Sequence, residues 1–466
     1  MKNEFDLTEG RILSKLLVIA LPIMGTQLFQ MLYNIIDMFL LGRISSDALA
    51  ATGSAGMFLW LSVAFFLIGS MGAEIGVSQN LGKKDIPAAK RFAENAGFLA
   101  IVLGIFYGLA MILFAEPLIR FLQVQDPAVV RDGANYLWIV SLSTPATFLS
   151  FALNGAFNGA GNSRYSFLFK GLGLGLNIIL SPLFIFTFDM GIQGAAIATT
   201  ISQFFVCFIF LWAIKFHPSR PFKTFSYRRL FKFCKGTTTQ ILKWTLPIAI
   251  ESLCFTVLTM FISQMVAGFG TGAIATHRVG SQIESLSWLI GGGFASALTA
   301  YIGQNFGARK WSRIHKGFKA SMVIMSVYGV MISLLMFFGA RALFSLFITD
   351  SDVIPLGVDY LRIFALIQLF ECIGALAAGA FRGIGKTQPP SYTSIFFNTL
   401  RVGAAFLLSR TQLGLNGIWW GMAICNTLRG LLTFAWYWSS ARKQPREDEI
   451  FLAGRDQSAA GSLAQT

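Results

Sequence analysis

Apolar runs separated by short polar breaks recur along the whole chain. They fall at 15–42, 48–72, 94–115, 134–157, 166–188, 192–214, 241–268, 272–302, 318–340, 358–381, 391–409 and 416–439. An uncharged run of about 20 residues is the length that crosses hydrocarbon as a helix, so the pattern predicts twelve spanning helices. Backbone groups in hydrocarbon must be satisfied within the chain, and no barrel-type alternation is present. The expected fold class is therefore an all-α membrane protein. The polar breaks suggest two six-helix lobes at 1–215 and 241–440, a charged linker at 216–240 and a polar tail at 441–466, expected to be disordered. Residues 1–14 read as an amphipathic lead-in with Leu7, Ile12 and Leu13 on its apolar side. The first run is too long for a signal-peptide core and lacks a cleavage site, so it is expected to stay as a span.

The frame is used twice. Leu21-Pro22-Ile23 opens a pair of runs that Gln79-Asn80-Leu81-Gly82 closes; Leu246-Pro247-Ile248 and Gln304-Asn305-Phe306-Gly307 repeat this at an offset of 225 residues. Leu28, Ala48, Ala50 and Ser62 meet Leu253, Ala273, Ala275 and Ser287 at that offset, and each closing motif leads into a basic loop. Further on, Ala156-Phe157-Asn158-Gly159-Ala160-Gly161 is answered by Ala380-Phe381-Arg382-Gly383-Ile384-Gly385, and Asn177 and Gly194 by Asn398 and Gly417. Repetition of this kind identifies two related halves. Pro22 and Pro247 are expected to weaken and bend their helices. Gly171, Gly173 and Gly175, like Gly291, Gly292 and Gly293, are expected to let helices approach closely.

Of the 466 residues, 55% are hydrophobic and 13% charged, against about 25% charged in a soluble domain. The net charge of +15 raises the possibility of a nucleic-acid partner, but its placement excludes one. Lys83, Lys84, Lys90 and Arg91 follow the second span, and Lys215, Arg220, Lys223, Arg228, Arg229, Lys232 and Lys235 fill the central connection. Arg309, Lys310, Arg313, Lys316 and Lys319 follow the eighth span, and Arg442, Lys443 and Arg446 the twelfth, while the opposite loops carry few cations. This is the positive-inside pattern. It predicts a cytoplasmic-membrane protein with both termini in the cytoplasm, aided by attraction to anionic lipid. Cys207, Cys234, Cys254, Cys372 and Cys425 show no metal or redox spacing, and the three histidines, at 217, 277 and 315, are too peripheral for a metal site.

Charge inside a span costs about 2.5–3.5 kcal/mol at mid-helix and asks for a reason. Asp37, Glu251, Glu284 and Glu371 lie within predicted spans, Glu74 closer to an interface; Arg278, Arg401 and Arg429 are the cations noted beside them. The ordinary alternative for each is a hydrogen-bonded packing role, and for Glu284 a static pair with Arg278. Tyr33 and Asn34 precede Asp37 by one turn and Gln30 by two, close enough to share its hydrogen bonds. A carboxylate withdrawn from water holds a proton more readily. Protonated, it is cheap to bury; ionised, it attracts a metal cation or a cationic organic molecule. That competition suffices for an antiporter, and two equivalent halves around a cavity supply alternating access.

Leu21-Pro22 with Asp37 downstream, the two Gln-Asn-x-Gly motifs, and Ala377-Ala378-Gly379-Ala380-Phe381-Arg382-Gly383 together identify the resemblance. The chain resembles the multidrug and toxic compound extrusion (MATE) transporters over essentially its full length. The resemblance implies a central cavity between two six-helix lobes and export of small cationic or amphipathic compounds driven by protons or sodium. No cofactor beyond the coupling ion is implied. The partners expected are substrate and membrane lipid, with the protein a monomer. Asp37 matches the family's acidic residue of the first helix, and Asn177 and Thr199 keep their places beside it. Glu371 falls six residues before the Ala-Ala-Gly motif, where the family often has an acid, and Glu251 is in the right helix though closer to Pro247. Together they are expected to form an acidic pair. Where many members read Asn-x-x-Leu-Asp-Pro, this chain reads Asn177-Ile178-Ile179-Leu180-Ser181-Pro182, which favours protons over a tight sodium cage. Two rivals remain at this point. A lipid-linked oligosaccharide flippase of the same superfamily would want a cavity rich in Arg and Lys. A membrane-embedded enzyme would want an interfacial His/Asp/Glu or Ser cluster.

Overall fold

The structure is a computed structural model and describes residues 6–122, 126–217, 220–222, 225–348 and 350–442. The tail from 443 onward, with Lys443 and Arg446, and Lys223 of the central connection lie outside the described residues. Among the described residues the chain is helix and connections, with no strand.

The first half contains α1 (Ile12–Gly42), α2 (Ser46–Leu61), α3 (Val63–Gly82), α4 (Ile86–Leu113), α5 (Ala115–Phe121), α6 (Pro127–Ser141), α7 (Thr144–Gly159), α8 (Ser163–Pro182) and α9 (Gly191–Phe216). The second contains α10 (Lys235–Ala267), α11 (Thr271–Gly307), α12 (Trp311–Phe338), α13 (Ala340–Ser345), α14 (Ile354–Ala365), α15 (Gln368–Gly383), α16 (Gln388–Ser409) and α17 (Leu415–Arg442). Among the described residues, eight segments are long and apolar enough to span, α2 and α3 running on as one of them. Two bent pairs, α6 with α7 at 50° and α14 with α15 at 46°, each supply one more. Pro145 opens α7 and offers no N–H to the carbonyl of Ser141, which breaks the first pair's ladder. α16 and α17, of 22 and 28 residues, complete the twelve; Asn398 and Arg401 in the first and Asn426 and Arg429 in the second lower their apolar character.

Pro22 and Pro247 sit inside α1 and α10, which run unbroken through them. In the first half α3 packs on α4 and α7, and α8 on α1 and α9; in the second, α15 packs on α11, α12 and α17, and α16 on α17. The halves meet where α1 and α3 lie on α11, and α3 on α10. The first turns of α1 belong to the second half's core: Leu16, Ile19, Ala20 and Ile23 are buried with Phe294, Leu298 and Tyr301. Close helix approach holds for part of the glycine prediction. A side chain at Gly173 would collide with Val206, and one at Gly293 would sit 3.0 Å from the Met24 Cα, whereas Gly175, Gly291 and Gly292 face open space.

Two expectations at the polar segments are corrected. The connection between halves is 217–234, because 235–240 already forms the first turns of α10. It is pinned to α4: Glu94 accepts a hydrogen bond from the Ser226 N–H at 3.1 Å and pairs with Arg229 at 3.6 Å, and Asn95 accepts from the Cys234 N–H at 3.1 Å. Of the arm before α1, residues 6–11 are described and are not helical. Leu13, expected on the apolar side, is exposed, and Leu7 is buried against the other half of the protein. Its backbone is held there by side chains of α11 and α12. The Leu7 N–H donates to Gln304 at 3.0 Å, its carbonyl accepts from Asn305 and Arg313 at 3.2 Å each, and Lys310 donates to the Thr8 carbonyl at 2.9 Å.

Candidate functional site

In the first half, four helices converge on Asp37. α1 carries Tyr33 and Asp37 one turn apart, α6 brings Tyr136, α8 brings Asn177 and α9 brings Thr199. The Asn177 amide donates to the Tyr33 hydroxyl at 2.9 Å. Both tyrosines lie within electrostatic reach of Asp37, with the Thr199 hydroxyl beside them. Asp37 Oδ1, Asn177 Oδ1, Thr199 Oγ1 and, one turn along α8, Ser181 Oγ are buried with no protein hydrogen-bond partner. Buried polar atoms in native folds are almost always satisfied, so unpartnered oxygens of Asp37, Asn177 and Thr199 gathered around one tyrosine leave a place for something else to bind. The donors are all oxygen: a carboxylate, an amide carbonyl and hydroxyls. Such a set suits a proton or a hard monovalent cation rather than a soft metal. Asn34 is exposed, and the hydrogen bond Tyr33 makes is the one it accepts from Asn177, so neither supplies the bond to Asp37 Oδ1 expected of the pair. Gln30 turns into a neighbouring pocket between α1, α8 and α9.

The second half is arranged differently. Glu371, at the start of α15, pairs with Arg429 of α17 at 2.8 Å. Glu284 of α11 accepts from the Tyr360 hydroxyl of α14 at 3.1 Å. Arg401 of α16 is 2% exposed, donates to the Thr259 hydroxyl at 2.6 Å and stacks over Phe255 at 4.8 Å. Glu284, Glu371, Arg401 and Arg429 form one electrostatic group in which two carboxylates balance two guanidiniums. The expected pairing of Glu251 with Glu371 is not formed. Glu251 accepts instead from the Ser391 hydroxyl at 2.8 Å, in the first turn of α16. Ser391 and Arg401 are ten residues apart on that helix, so Glu251 lies about 15 Å along the axis from the charge cluster. Its position only four residues past Pro247 puts it at that level. Arg278 is exposed and makes no ion pair among the described residues; the arginines near Glu284 are Arg401 and Arg429.

The repeated Gln-Asn-x-Gly motifs meet at the basic end of the bundle. Gln79 at the end of α3 donates to the Gly383 carbonyl at the end of α15, at 2.9 Å. Gln304 at the end of α11 donates to the Gly159 carbonyl at the end of α7, at 3.0 Å. Gly82 packs against the Gln304 backbone and Gly307 against that of Gln79, so closely that a Cβ at either would overlap a carbonyl. Glu74 is part of this seam rather than an interfacial residue: it is 1% exposed, accepts from the Ser296 hydroxyl across the seam at 2.8 Å, and lies within reach of Arg382.

Several members of these clusters escape sequence reasoning. Tyr136, Tyr360, Thr259 and Ser391 carry no signal beyond being polar groups within apolar helices. Lys170 does carry one. It is a lysine inside the fifth span, and the structure turns it inward, 4.0 Å over the Phe151 ring.

The family profile MatE matches the chain twice, over residues 22–183 and 247–407, one match for each half and each opening on a repeated proline. Among curated proteins, the chain is similar to a probable multidrug resistance protein NorM of Thermotoga maritima, 28% identical, covering 91% of this chain and 92% of the relative. It is also similar to the multidrug export protein MepA of Staphylococcus aureus, 24% identical over 92% and 95% of the two chains. Among solved structures, an outward-facing multidrug resistance MATE family transporter of the MOP superfamily superposes with a TM-score of 0.89 at 22% identity, over 96% of this chain and 99% of that one. A MATE structure in complex with MaD3S gives 0.88 at 22% identity, over 95% and 100%. These two share the twelve-helix fold.

Proposed function

This chain belongs to the MatE family, and from that premise we propose that it is a cation-coupled antiporter exporting small cationic or amphipathic compounds by alternating access. The observation that carries the reading is the Asp37 cluster: a buried carboxylate oxygen with no protein partner, beside a Tyr33 that also meets Asn177 and Thr199, whose own oxygens are unpartnered. In that setting Asp37 holds either a coupling cation or a proton, and a cationic substrate in the same lobe competes for its charge. Filling from outside weakens the hold on what entered from the cytosol. Because Ser181 stands where a second carboxylate would complete a sodium cage, protons are the favoured coupling ion and sodium the alternative.

In the second half Glu371 is already neutralised by Arg429. Its role is then structural or that of a switchable pair, which leaves Glu251 and Glu284, each hydrogen-bonded to a neutral hydroxyl, as the acids open to a cation or proton. Positive-inside charge puts the basic end and both termini in the cytoplasm, which makes the Gln79–Gln304 seam a closed cytoplasmic gate and this conformation outward-facing. The protein then acts as a monomer in the cytoplasmic membrane, as a transporter rather than an enzyme. A flippase for anionic lipid carriers is disfavoured by the balanced charge of the second half and the acid of the first.

The test is ethidium transport in proteoliposomes under imposed pH gradients and, separately, sodium gradients. Whichever gradient drives export names the ion, and neither doing so removes the antiporter reading. Asp37→Asn should insert normally yet lose driven export; export at the wild-type rate in that variant removes the coupling assignment.

A further inference from the structure

The arm before α1 is held where the two halves close. Its backbone is gripped by side chains of α11, α12 and the turn between them. The Leu7 N–H donates to Gln304 Oε1 at 3.0 Å, and the Leu7 carbonyl accepts from Asn305 and from Arg313, each at 3.2 Å. Lys310 donates to the Thr8 carbonyl at 2.9 Å, and Arg313 to the Gly10 carbonyl at 3.0 Å. Arg313 also donates to Asn305 Oδ1 at 3.1 Å, which ties the cradle together. The arm is shaped to fit it. Asp6 accepts from the Thr8 N–H at 2.8 Å and from the Thr8 hydroxyl at 2.7 Å, and Gly10 takes a φ of +83° to turn the chain into α1.

Gln304 uses both ends of its amide. The oxygen takes the Leu7 N–H, and the nitrogen donates to the Gly159 carbonyl of the other half at 3.0 Å. A backbone N–H can only donate and a carbonyl can only accept, so one orientation of the amide satisfies both neighbours. Turned over, it would set donor against donor and acceptor against acceptor, at a side chain buried from water. The first half builds the same place differently. At the 225-residue offset Lys310 and Arg313 become Asp85 and Ala88, and Asp85 caps α4 by accepting from the Ala88 N–H at 2.9 Å.

We infer that the arm is a strap for the gate, with the Leu7 N–H as a positioning group that acts through Gln304. By occupying the amide oxygen it turns the amide nitrogen toward Gly159, so the bond that closes the lobes is aligned before they meet. Leu7, Leu16, Ile19 and Ala20 are anchored in the second half's core, so the strap travels with Gln304 rather than with Gly159. Without it the amide is free to turn, and part of the closing energy is spent on ordering it. The inference rests on reading the seam as a gate, but needs neither Asp37 as the coupling residue nor a particular ion.

The test reads spin-label distances across the seam in the full chain and in a protein lacking residues 2–10. Removing the arm shifts the open-to-closed ratio about fivefold toward open, the effect of losing one hydrogen bond. Leu7→Pro removes the N–H at unchanged chain length and gives a shift of the same size, which keeps the test readable if the truncated protein fails to insert. Each change is then combined with Gln304→Ala and with Gln79→Ala. A strap that acts through Gln304 adds nothing in the Gln304→Ala background and keeps its full effect in the Gln79→Ala background. A shift as large with Gln304→Ala as without it overturns the inference, because the arm then reaches the lobes by another route. An unchanged ratio in both arm variants overturns it too. If wild type shows one distance across the seam under every pH, sodium and substrate condition, the gate reading itself fails and the strap falls with it.

Discussion

Gln79 and Gln304 occupy the same position in the two halves and make the same bond in opposite directions across the seam, Gln79 to the Gly383 carbonyl at 2.9 Å and Gln304 to the Gly159 carbonyl at 3.0 Å. The acceptors are themselves repeat partners, so the contact is a two-fold pair. The Gln-Asn-x-Gly motif thus holds the lobes together at one end rather than forming part of either lobe's interior.

Removing either amide should loosen that end. Gln79→Ala forfeits one interlobe hydrogen bond, worth about 1 kcal/mol, and shifts the open-to-closed ratio about fivefold toward open, while Gln304→Ala also leaves the Leu7 N–H without its acceptor and opens further. Distance measurements between spin labels placed on either side of the seam check this, and the double variant should open further than either single one.

Gly82→Ala should have the larger effect because it obstructs closure rather than weakening it. The added methyl meets the Gln304 backbone carbonyl, a clash of about 1–3 kcal/mol that side-chain rotation cannot relieve. Transport should drop while expression and insertion hold, and spin-label distances should report the open form.

The Glu371–Arg429 pair predicts non-additive stability. Arg429→Leu leaves Glu371 uncompensated in the membrane, at a cost of roughly 2–3 kcal/mol, the low end for buried pairs given partial exposure. Glu371→Gln with Arg429→Leu should recover part of that. Thermal unfolding of the four proteins in detergent closes the cycle, and strict additivity would mean that the pair contributes nothing.

Cys234 offers a test of sidedness. It is the exposed cysteine among five, just outside α10, and the neighbouring Thr237 hydroxyl draws its thiol below the usual value by favouring the thiolate. Maleimide should label it well before the other four, and in inside-out but not right-side-out vesicles. Thr237→Val should slow labelling near neutral pH and leave it unchanged at high pH, where the thiol is ionised in both proteins.

Much of the architecture was legible because membrane insertion writes itself into composition: apolar runs gave the spans, and a constant offset the two halves. Asp37, Asn177 and Thr199 were legible too, and the structure brings them together. The second half was less so. A carboxylate's helix says nothing of its rotation or depth, which is how Glu251 and Glu371 came to be expected as a pair although they lie at different levels. Lys170 was visible as a charge in a span, but its inward turn depends on Phe151, a packing partner no local pattern reveals. Glu74 resembled an interfacial residue because its burial comes from the opposite lobe.

Leu7 is fastened to Gln304, 297 positions later in the chain. At about 5–20 residues per second, a growing polypeptide offers that fastening site some 15–60 seconds after the arm leaves the ribosome. Until then the buried leucine and the first turns of α1 have no proper neighbours, so a segment made early is among the last to find its place. A bulky fusion ahead of Leu7 would burden that late step, and a tag at the other terminus is the sounder choice for producing this protein.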